Sequence, residues 1–83
     1  MKELWYFYAT WCTYCKQQTP ILDEFIAEHP EVTVIKILEE ENKDAVEMNN
    51  IQNFPTFMVL KGNEPMRPVS GLTNKAELEK LFA

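Results

Sequence analysis

An apolar run that passes directly into a helical pattern, with two cysteines at the junction, constrains this chain more than any other feature. Residues 4–9 (Leu-Trp-Tyr-Phe-Tyr-Ala) are apolar on both alternating faces, which predicts a central strand covered by helices on each side. From Thr13 to about Glu28 apolar residues recur at helical spacing, which predicts a helix. Cys12 and Cys15 mark the start of this helix, and they are the 2 cysteines of the chain.

The position of the cysteine pair favours redox chemistry. A helix start concentrates unpaired backbone N–H groups and the positive end of the peptide dipoles, so a thiolate there is stabilised and its pKa falls. We therefore expect Cys12 to be the attacking sulfur. Cys15 follows one turn later, close enough to close a small ring with Cys12, so the pair can cycle between dithiol and disulfide. Both residues are predicted to be catalytic.

Two other interpretations share the Cys-x-x-Cys spacing. A structural zinc site takes four Cys or His ligands, but the chain offers two cysteines and the single His29, so only an intermolecular site could complete it. A purely structural disulfide would close a very short loop and remove little chain entropy from the unfolded state. We expect neither a metal ion nor a cofactor.

Size and composition limit the architecture to one domain. With 83 residues, 46% of them hydrophobic and only 2 glycines, the chain is expected to form a single ordered domain over residues 1–83. No segment approaches the length of a membrane span, and the N-terminus lacks the pattern of a secretory signal. These features predict a monomer in the reducing cytoplasm, where a cysteine pair is more often catalytic or metal-binding than structural.

The charge balance argues against nucleic acid as a partner. The formal net charge is −5, and no stripe of lysine or arginine is present. Binding to a phosphate backbone would have to overcome this long-range field. The densest charge run, Glu39-Glu40-Glu41, lies between a predicted strand and a helix, where it is expected to form a solvated face.

The rest of the chain continues the alternation of strands and helices. Periodicity predicts a strand over 32–38, a helix over 43–49, strands over 57–60 and 66–69, and a closing helix with Leu78, Leu81 and Phe82 on one face. A right-handed helical crossover would make the first two strands parallel, whereas turn residues 61–64 predict a hairpin. Pro68 places the last strand at a sheet edge. The order is βαβαββα, an α/β fold with a four-stranded mixed sheet flanked by three helices.

Helix ends carry their own signals. Asn42 is the predicted N-cap of the second helix, and Asn74 followed by Glu77 resembles a capping box at the start of the last helix. His29-Pro30 ends the first helix. We interpret His29 as a favourable charge near this C-terminus rather than as a catalyst.

Motifs along nearly the whole chain resemble the thioredoxin family. They are Trp11-Cys12-x-x-Cys15-Lys16, Pro20 inside the first helix, Phe54-Pro55-Thr56 before the third strand and Gly71 before the last helix. Relative to a typical member, the chain lacks the opening strand and helix, leaving a minimal thioredoxin-like core. The resemblance implies a thioredoxin fold, a thiol-disulfide oxidoreductase acting on disulfide-containing proteins, and a thioredoxin-reductase-like flavoenzyme as electron donor.

The resemblance also implies the remaining site residues. The Phe54-Pro55 bond would be cis and face the cysteines, making Pro55 part of the catalytic set. Without the motif a trans bond would be expected, because cis X-Pro bonds are a small minority. Substrate would bind to Gly71 and to an apolar rim, whose members are Trp11, Tyr14, Phe54 and Leu72. The alternative is that these apolar side chains merely pack the core.

Three departures from the family pattern affect the chemistry. Tyr6 occupies the position where thioredoxins usually carry a buried aspartate, which leaves the proton acceptor for Cys15 open. Lys36 matches a lysine near that aspartate and is expected to lack its partner. Thr13-Tyr14 replaces the usual Gly-Pro, and Tyr14 is similar to the Pro-Tyr of glutaredoxins.

Two other functions stay open from the sequence. The chain could be a glutaredoxin-like enzyme that uses glutathione, although residues 70–74 replace the usual signature of a glycine pair with an aspartate. It could also be a binding module in which the cysteines are incidental.

Overall fold

The computed structural model describes residues 2–62, 64–66 and 68–82, and their elements follow the predicted order. The strands and helices are β1 (Lys2–Tyr8), α1 (Thr13–Glu28), β2 (Thr33–Leu38), α2 (Lys43–Met48), β3 (Thr56–Lys61), β4 (Glu64–Pro65), β5 (Val69–Ser70) and α3 (Lys75–Lys80). A 3-10 turn over Glu39–Glu41 precedes α2. The first three strands and the three helices agree with the sequence to within two residues at each end.

The sheet is mixed, and β1 lies in its centre. β1 pairs with β2 in parallel, as the crossover predicts, and with β3 in antiparallel orientation. β3 pairs with β4 in antiparallel orientation, as the hairpin predicts. One face of β1 places Leu4 and Tyr6 in a core shared with α1 and α3, and the other places Phe7 against Ile37 and Met58. The doubly apolar run of residues 4–9 is therefore explained by burial on both faces.

The outer strand differs from the prediction of one strand over 66–69. It forms two short segments, because β4 pairs with Leu60 and Lys61, whereas β5 pairs with Thr56 and Phe57. Four positions separate Pro65 from Val69, whereas three separate their partners Leu60 and Phe57 on β3. Arg67, which belongs to the predicted strand, lies outside the described residues. Pro68 lies in this interval and has no N–H to donate, which explains why pairing is interrupted at this sheet edge.

Of the two predicted N-cap residues, one caps its helix with its side chain and the other does not. Asn74 Oδ1 accepts a hydrogen bond from the backbone N–H of Glu77 at 2.8 Å, as expected for an N-cap. Asn42 stands at the N-cap position of α2, but its side chain makes no cap hydrogen bond there. It donates instead to the carbonyl of Leu38 at 3.0 Å, because Asn42 also ends the preceding 3-10 turn.

The longest helix, α1, spans 16 residues and continues through Pro20. Its buried side is formed by Cys15, Gln18, Leu22 and Phe25. Among the residues that the structure describes, no helix combines the length and the apolar character needed to cross a membrane.

Side chains from α3 and the loops hold the C-terminal end of α1. The backbone N–H of His29 donates to the Phe25 carbonyl at 2.9 Å, closing the helix. The imidazole Nε2 lies 2.7 Å from Glu79 Oε2, and Nδ1 lies 3.2 Å from Glu31 Oε2. The bond to Glu79, followed by the bond to Glu31, raises the pKa of His29. The predicted position of His29 at this helix end is confirmed, and its two carboxylate neighbours favour the protonated imidazole.

We expect His29 to make the fold more stable in acid than in base. Because its pKa is raised in the folded state, its contribution is fully present below the unfolded pKa of 6.5 and is lost as the pH rises through the folded pKa. The variant His29→Gln keeps a hydrogen-bonding side chain without the charge. Melting temperatures of both proteins should differ most at the acid end of a series from about pH 5.5 to 8.5. A difference that does not vary with pH would contradict this role.

Candidate active site

Cys12 is the N-cap residue of α1, and Cys15 lies in the first turn. The backbone N–H of Cys15 donates to Cys12 Sγ at 3.2 Å, so the sulfur accepts one of the unpaired amide hydrogens of the helix start. Both cysteines are free thiols and both are buried. The predicted placement of the pair at the strand-to-helix junction is confirmed.

The Sγ atom of Cys12 contacts a turn that is distant in sequence. The Cys12 thiol donates to the carbonyl oxygen of Phe54 at 3.4 Å, across 42 positions of sequence. The Phe54-Pro55 peptide bond is cis, and Pro55 is fully buried. The structure therefore brings the cysteine pair and Pro55 together, as the resemblance implied.

Cys15 occupies an environment that keeps it protonated. Burial is the main reason why the pKa of the Cys15 thiol is raised to about 11, and the neighbouring Cys12 raises it further. Two hydroxyl groups donate to the Cys15 carbonyl, Thr19 Oγ1 at 3.0 Å and Tyr6 Oη at 3.4 Å. At neutral pH, Cys15 is thus a neutral thiol.

Tyr6 cannot take the place of the missing aspartate as a base. Burial and the neighbouring Cys15 raise its pKa far above the usual value for tyrosine, so the hydroxyl stays a neutral donor. A depression of about 250 Å³ opens next to Cys15 instead, with Tyr8, Ala9, Thr10, Lys16 and Thr19 as its other lining residues. Cys15 itself is one of the residues that line this depression.

Lys36 lacks the aspartate that Tyr6 replaces, as expected, but it has another partner. Its Nζ lies 3.8 Å from Asp23 Oδ1, where β2 passes beside α1. The pair is exposed and distant in sequence, so a reading of neighbouring residues alone does not detect it.

Apolar side chains surround the cysteines on the surface. Trp11 is 65% exposed, Tyr14 60% and Leu72 43%, so the alternative of core packing does not hold for these three. Phe54 is half-buried and meets the Trp11 ring edge-on, with the ring centroids 5.6 Å apart. Exposed apolar side chains that lie close together are a common feature of interaction surfaces.

Gly71 connects the loop before α3 to the proline turn. Its φ of +94° lies in the left-handed region, which glycine adopts without the steric cost of a Cβ. Its backbone N–H donates to the Pro55 carbonyl at 2.8 Å. Gly71 therefore shapes the edge of the site, and its amide hydrogen is already used within the protein.

The acidic run Glu39-Glu40-Glu41 is partly solvated and also forms hydrogen bonds within the protein. Glu40 and Glu41 are exposed as expected, but the Glu40 carboxylate also accepts the Thr10 hydroxyl at 2.8 Å and the Thr10 backbone N–H at 3.2 Å. This carboxylate fixes the residue that precedes Trp11. The pairing spans 30 positions, so sequence patterns could not reveal it.

Gln18, a polar residue on the buried side of α1, is not among the residues predicted from the sequence. Its side-chain amide is 0% exposed and forms two hydrogen bonds with the backbone of Thr73. A signal was present, because Gln18 lies on the same helical stripe as Cys15, Leu22 and Phe25. A glutamine on an otherwise apolar stripe indicates a buried polar contact.

Potential metal ligands lie elsewhere. In the described ranges, the group of side chains close enough to share an ion is Glu28, His29 and Glu79, at the end of α1 away from the cysteines. All three already have partners in the protein, since Lys75 bonds to Glu28 at 2.7 Å and His29 bonds to Glu79.

Comparisons with known proteins converge on one family. The sequence model of the family Thioredoxin matches residues 2–83. A thioredoxin of Alicyclobacillus acidocaldarius is 35% identical over 78 residues, which cover 93% of this chain and 74% of the relative. The crystal structure of mitochondrial thioredoxin 3 from Saccharomyces cerevisiae, in its oxidised form, superposes with a TM-score of 0.87 at 33% identity and covers 95% of this chain and 74% of that one.

A further relative joins two activities in one polypeptide. The bifunctional thioredoxin reductase/thioredoxin of Mycobacterium leprae is 32% identical over 73 residues. These residues cover 87% of this chain and 16% of that protein. The matched part is thus a small portion of the longer polypeptide.

Proposed function

This chain belongs to the thioredoxin family and is a thiol-disulfide oxidoreductase with Cys12 and Cys15 as its CxxC pair, and from this we propose that it reduces protein disulfides, with Cys12 as nucleophile and Cys15 as resolving thiol. The different surroundings of the two sulfurs support this assignment of roles. Cys12 Sγ accepts the Cys15 N–H and faces the Phe54-Pro55 turn, whereas Cys15 is held as a neutral thiol.

In the first step the Cys12 thiolate attacks one sulfur of a substrate disulfide. A bond forms between Cys12 Sγ and that sulfur, the substrate S–S bond breaks, and the other substrate sulfur leaves as a thiolate. The backbone N–H of Cys15, whose nitrogen lies 3.2 Å from Cys12 Sγ, stabilises the attacking anion.

In the second step the Cys15 thiol loses its proton and attacks Cys12 Sγ. The mixed disulfide breaks, the substrate sulfur leaves as a thiolate and takes up a proton, and a Cys12–Cys15 disulfide forms. The substrate gains two electrons and two protons, and the protein loses both. The depression next to Cys15 supports a path for its proton through water.

Substrate binding is assigned to the apolar rim and the proline turn. Trp11, Tyr14 and Leu72 provide exposed apolar contacts, and Phe54 adds its half-buried ring. The backbone of Phe54 next to Pro55 is suited to pair with an extended substrate segment as an added strand. Gly71 acts indirectly, by shaping the loop that carries Leu72.

The reaction cycle also suggests the partners and setting of the protein. The oxidised pair needs an electron donor, and we assign this role to a thioredoxin-reductase-like flavoenzyme, in line with the fused relative of Mycobacterium leprae.

Both sulfurs come from one helix start, so a monomer and a single domain over residues 1–83 are sufficient. A reducing compartment such as the cytoplasm suits this activity, and the net charge of −5 disfavours nucleic acid.

The donor assignment predicts that thioredoxin reductase with NADPH supports insulin reduction much better than glutathione does. We expect a difference of at least about tenfold in initial rate at equal protein concentration, which corresponds to roughly 1.4 kcal/mol in transition-state free energy. The measurement is the turbidity of reduced insulin with each donor, with reactions lacking the chain as controls. Reduction driven by glutathione alone would instead indicate a glutaredoxin-like enzyme.

A further inference from the structure

A buried amide connects the helix of the catalytic cysteines to the loop that carries part of the substrate rim. Gln18 follows Cys15 by one helical turn and is completely buried. Its Nε2 donates to the Thr73 carbonyl at 2.8 Å, and its Oε1 accepts the Thr73 backbone N–H at 2.8 Å. Thr73 is itself buried, so the contact is shielded from water.

These two bonds belong to a ring of contacts around the site. Thr73 Oγ1 donates to the Gly71 carbonyl at 3.0 Å, and the Gly71 N–H donates to the Pro55 carbonyl at 2.8 Å. Next to Pro55, the Phe54 carbonyl accepts the Cys12 thiol at 3.4 Å. The ring thus runs from α1 through Gln18 to the loop, on to the proline turn and back to Cys12 at the start of α1.

The glutamine at this position satisfies two buried backbone groups of the loop. An apolar residue there, like Leu22 on the same stripe, would leave the Thr73 N–H and carbonyl without these partners. The net gain from a buried hydrogen bond is modest, whereas a buried polar group without partners is costly. What the amide adds is a defined position of the loop backbone, because two bonds to one residue fix both distance and orientation.

We propose that Gln18 is a positioning residue for substrate recognition, which holds Leu72 and the Pro55 turn at the correct distance from Cys12 so that an extended, disulfide-containing protein segment can dock. This inference rests on the proposed function, since it concerns the same docking surface. Leu72 lies between the two loop residues of the ring, Gly71 and Thr73, and its side chain is 43% exposed. A shift of the loop backbone would therefore move a substrate contact without touching either sulfur.

The test replaces Gln18 with methionine, which has a similar length but cannot donate to the Thr73 carbonyl. We expect KM for insulin to rise about tenfold, with kcat changing less than about twofold, because docking is lost while the chemistry is retained. Reduction of a small aromatic disulfide, which has no chain to dock, should slow much less. A Gln18→Met protein with an unchanged KM for insulin would overturn the proposal.

Leu22→Ala serves as the matched control. Leu22 is fully buried on the same stripe one turn further along, and it packs in the core with Phe25 and Leu78. Its truncation should lower the melting temperature and leave KM for insulin unchanged. If Leu22→Ala raises KM as Gln18→Met does, the effect follows general destabilisation and the positioning role is wrong. Failure of the proposed function is distinguishable, because the wild-type chain would then not reduce insulin at all.

A measurement on the wild-type protein does not depend on whether the variant folds. Amide hydrogen exchange at Thr73 should be as slow as at the core strand β1, because the buried Gln18 side chain holds this amide. Exchange at Thr73 that is much faster than in β1 would show a loop that opens independently of α1 and would overturn the proposal.

Discussion

Replacing Cys12 with serine is expected to abolish the reduction of insulin, with a loss of more than about a thousandfold in kcat/KM. A serine hydroxyl is not ionised at neutral pH and cannot form a disulfide with substrate, so the first step is lost. The fold should persist, because serine is a preferred N-cap and can accept the Cys15 N–H as the sulfur does. Turnover with reductase and NADPH measures the loss, and circular dichroism verifies folding.

The variant Cys15→Ser separates the two steps of the same reaction. Because the chain has 2 cysteines, the remaining thiol is Cys12, and a substrate captured there cannot be released by a neighbour. A covalent complex with substrate should accumulate and be visible by mass spectrometry as the summed mass of both chains. Thr13→Ser, an exposed change between the cysteines, is the control for mutation at the helix start. Full insulin reduction by Cys12→Ser would mean that Cys12 is not the nucleophile.

The sequence predicted the elements of the fold where the apolar pattern was strong and local. The doubly apolar run of β1 and the helical stripe of α1 suffice to identify both elements and their type. The outer strand was placed wrongly because its pairing follows β3, and its division into β4 and β5 has no local pattern. Such short edge segments are determined by their partner strand rather than by their own residues.

Some features of the site could be predicted from the local sequence pattern, whereas others could not. Spacing alone placed Cys12 at the helix start, because it required only a local change from strand to helix pattern. The contact between Cys12 and the Phe54-Pro55 turn joins residues separated by more than half of the chain. Only the resemblance to the thioredoxin family implied this contact. Contacts particular to this chain, such as Gln18 with Thr73, remained hidden because they are formed by tertiary packing.

The raised pKa of Cys15 predicts that the resolving step accelerates with pH. Attack requires the thiolate, and below a pKa of about 11 the thiolate fraction grows about tenfold per pH unit. Stopped-flow mixing with 5,5′-dithiobis(2-nitrobenzoic acid) resolves two releases of thiolate, the first from attack by Cys12 and the second from attack by Cys15. Between about pH 6 and 8 the rate constant of the second release should rise roughly a hundredfold.

The state of Cys12 in this experiment decides how far the rise extends. In the mixed disulfide Cys12 carries no charge and no thiol, so its contributions to the raised pKa of Cys15 are removed, whereas burial, the largest cause, stays. The rise should therefore continue to at least about pH 9 without a plateau. Tyr6→Phe removes a hydroxyl that lowers the pKa of Cys15, so it should slow the second release with the first as internal control. A plateau below about pH 8 would instead reveal a base near Cys15 that captures its proton at neutral pH.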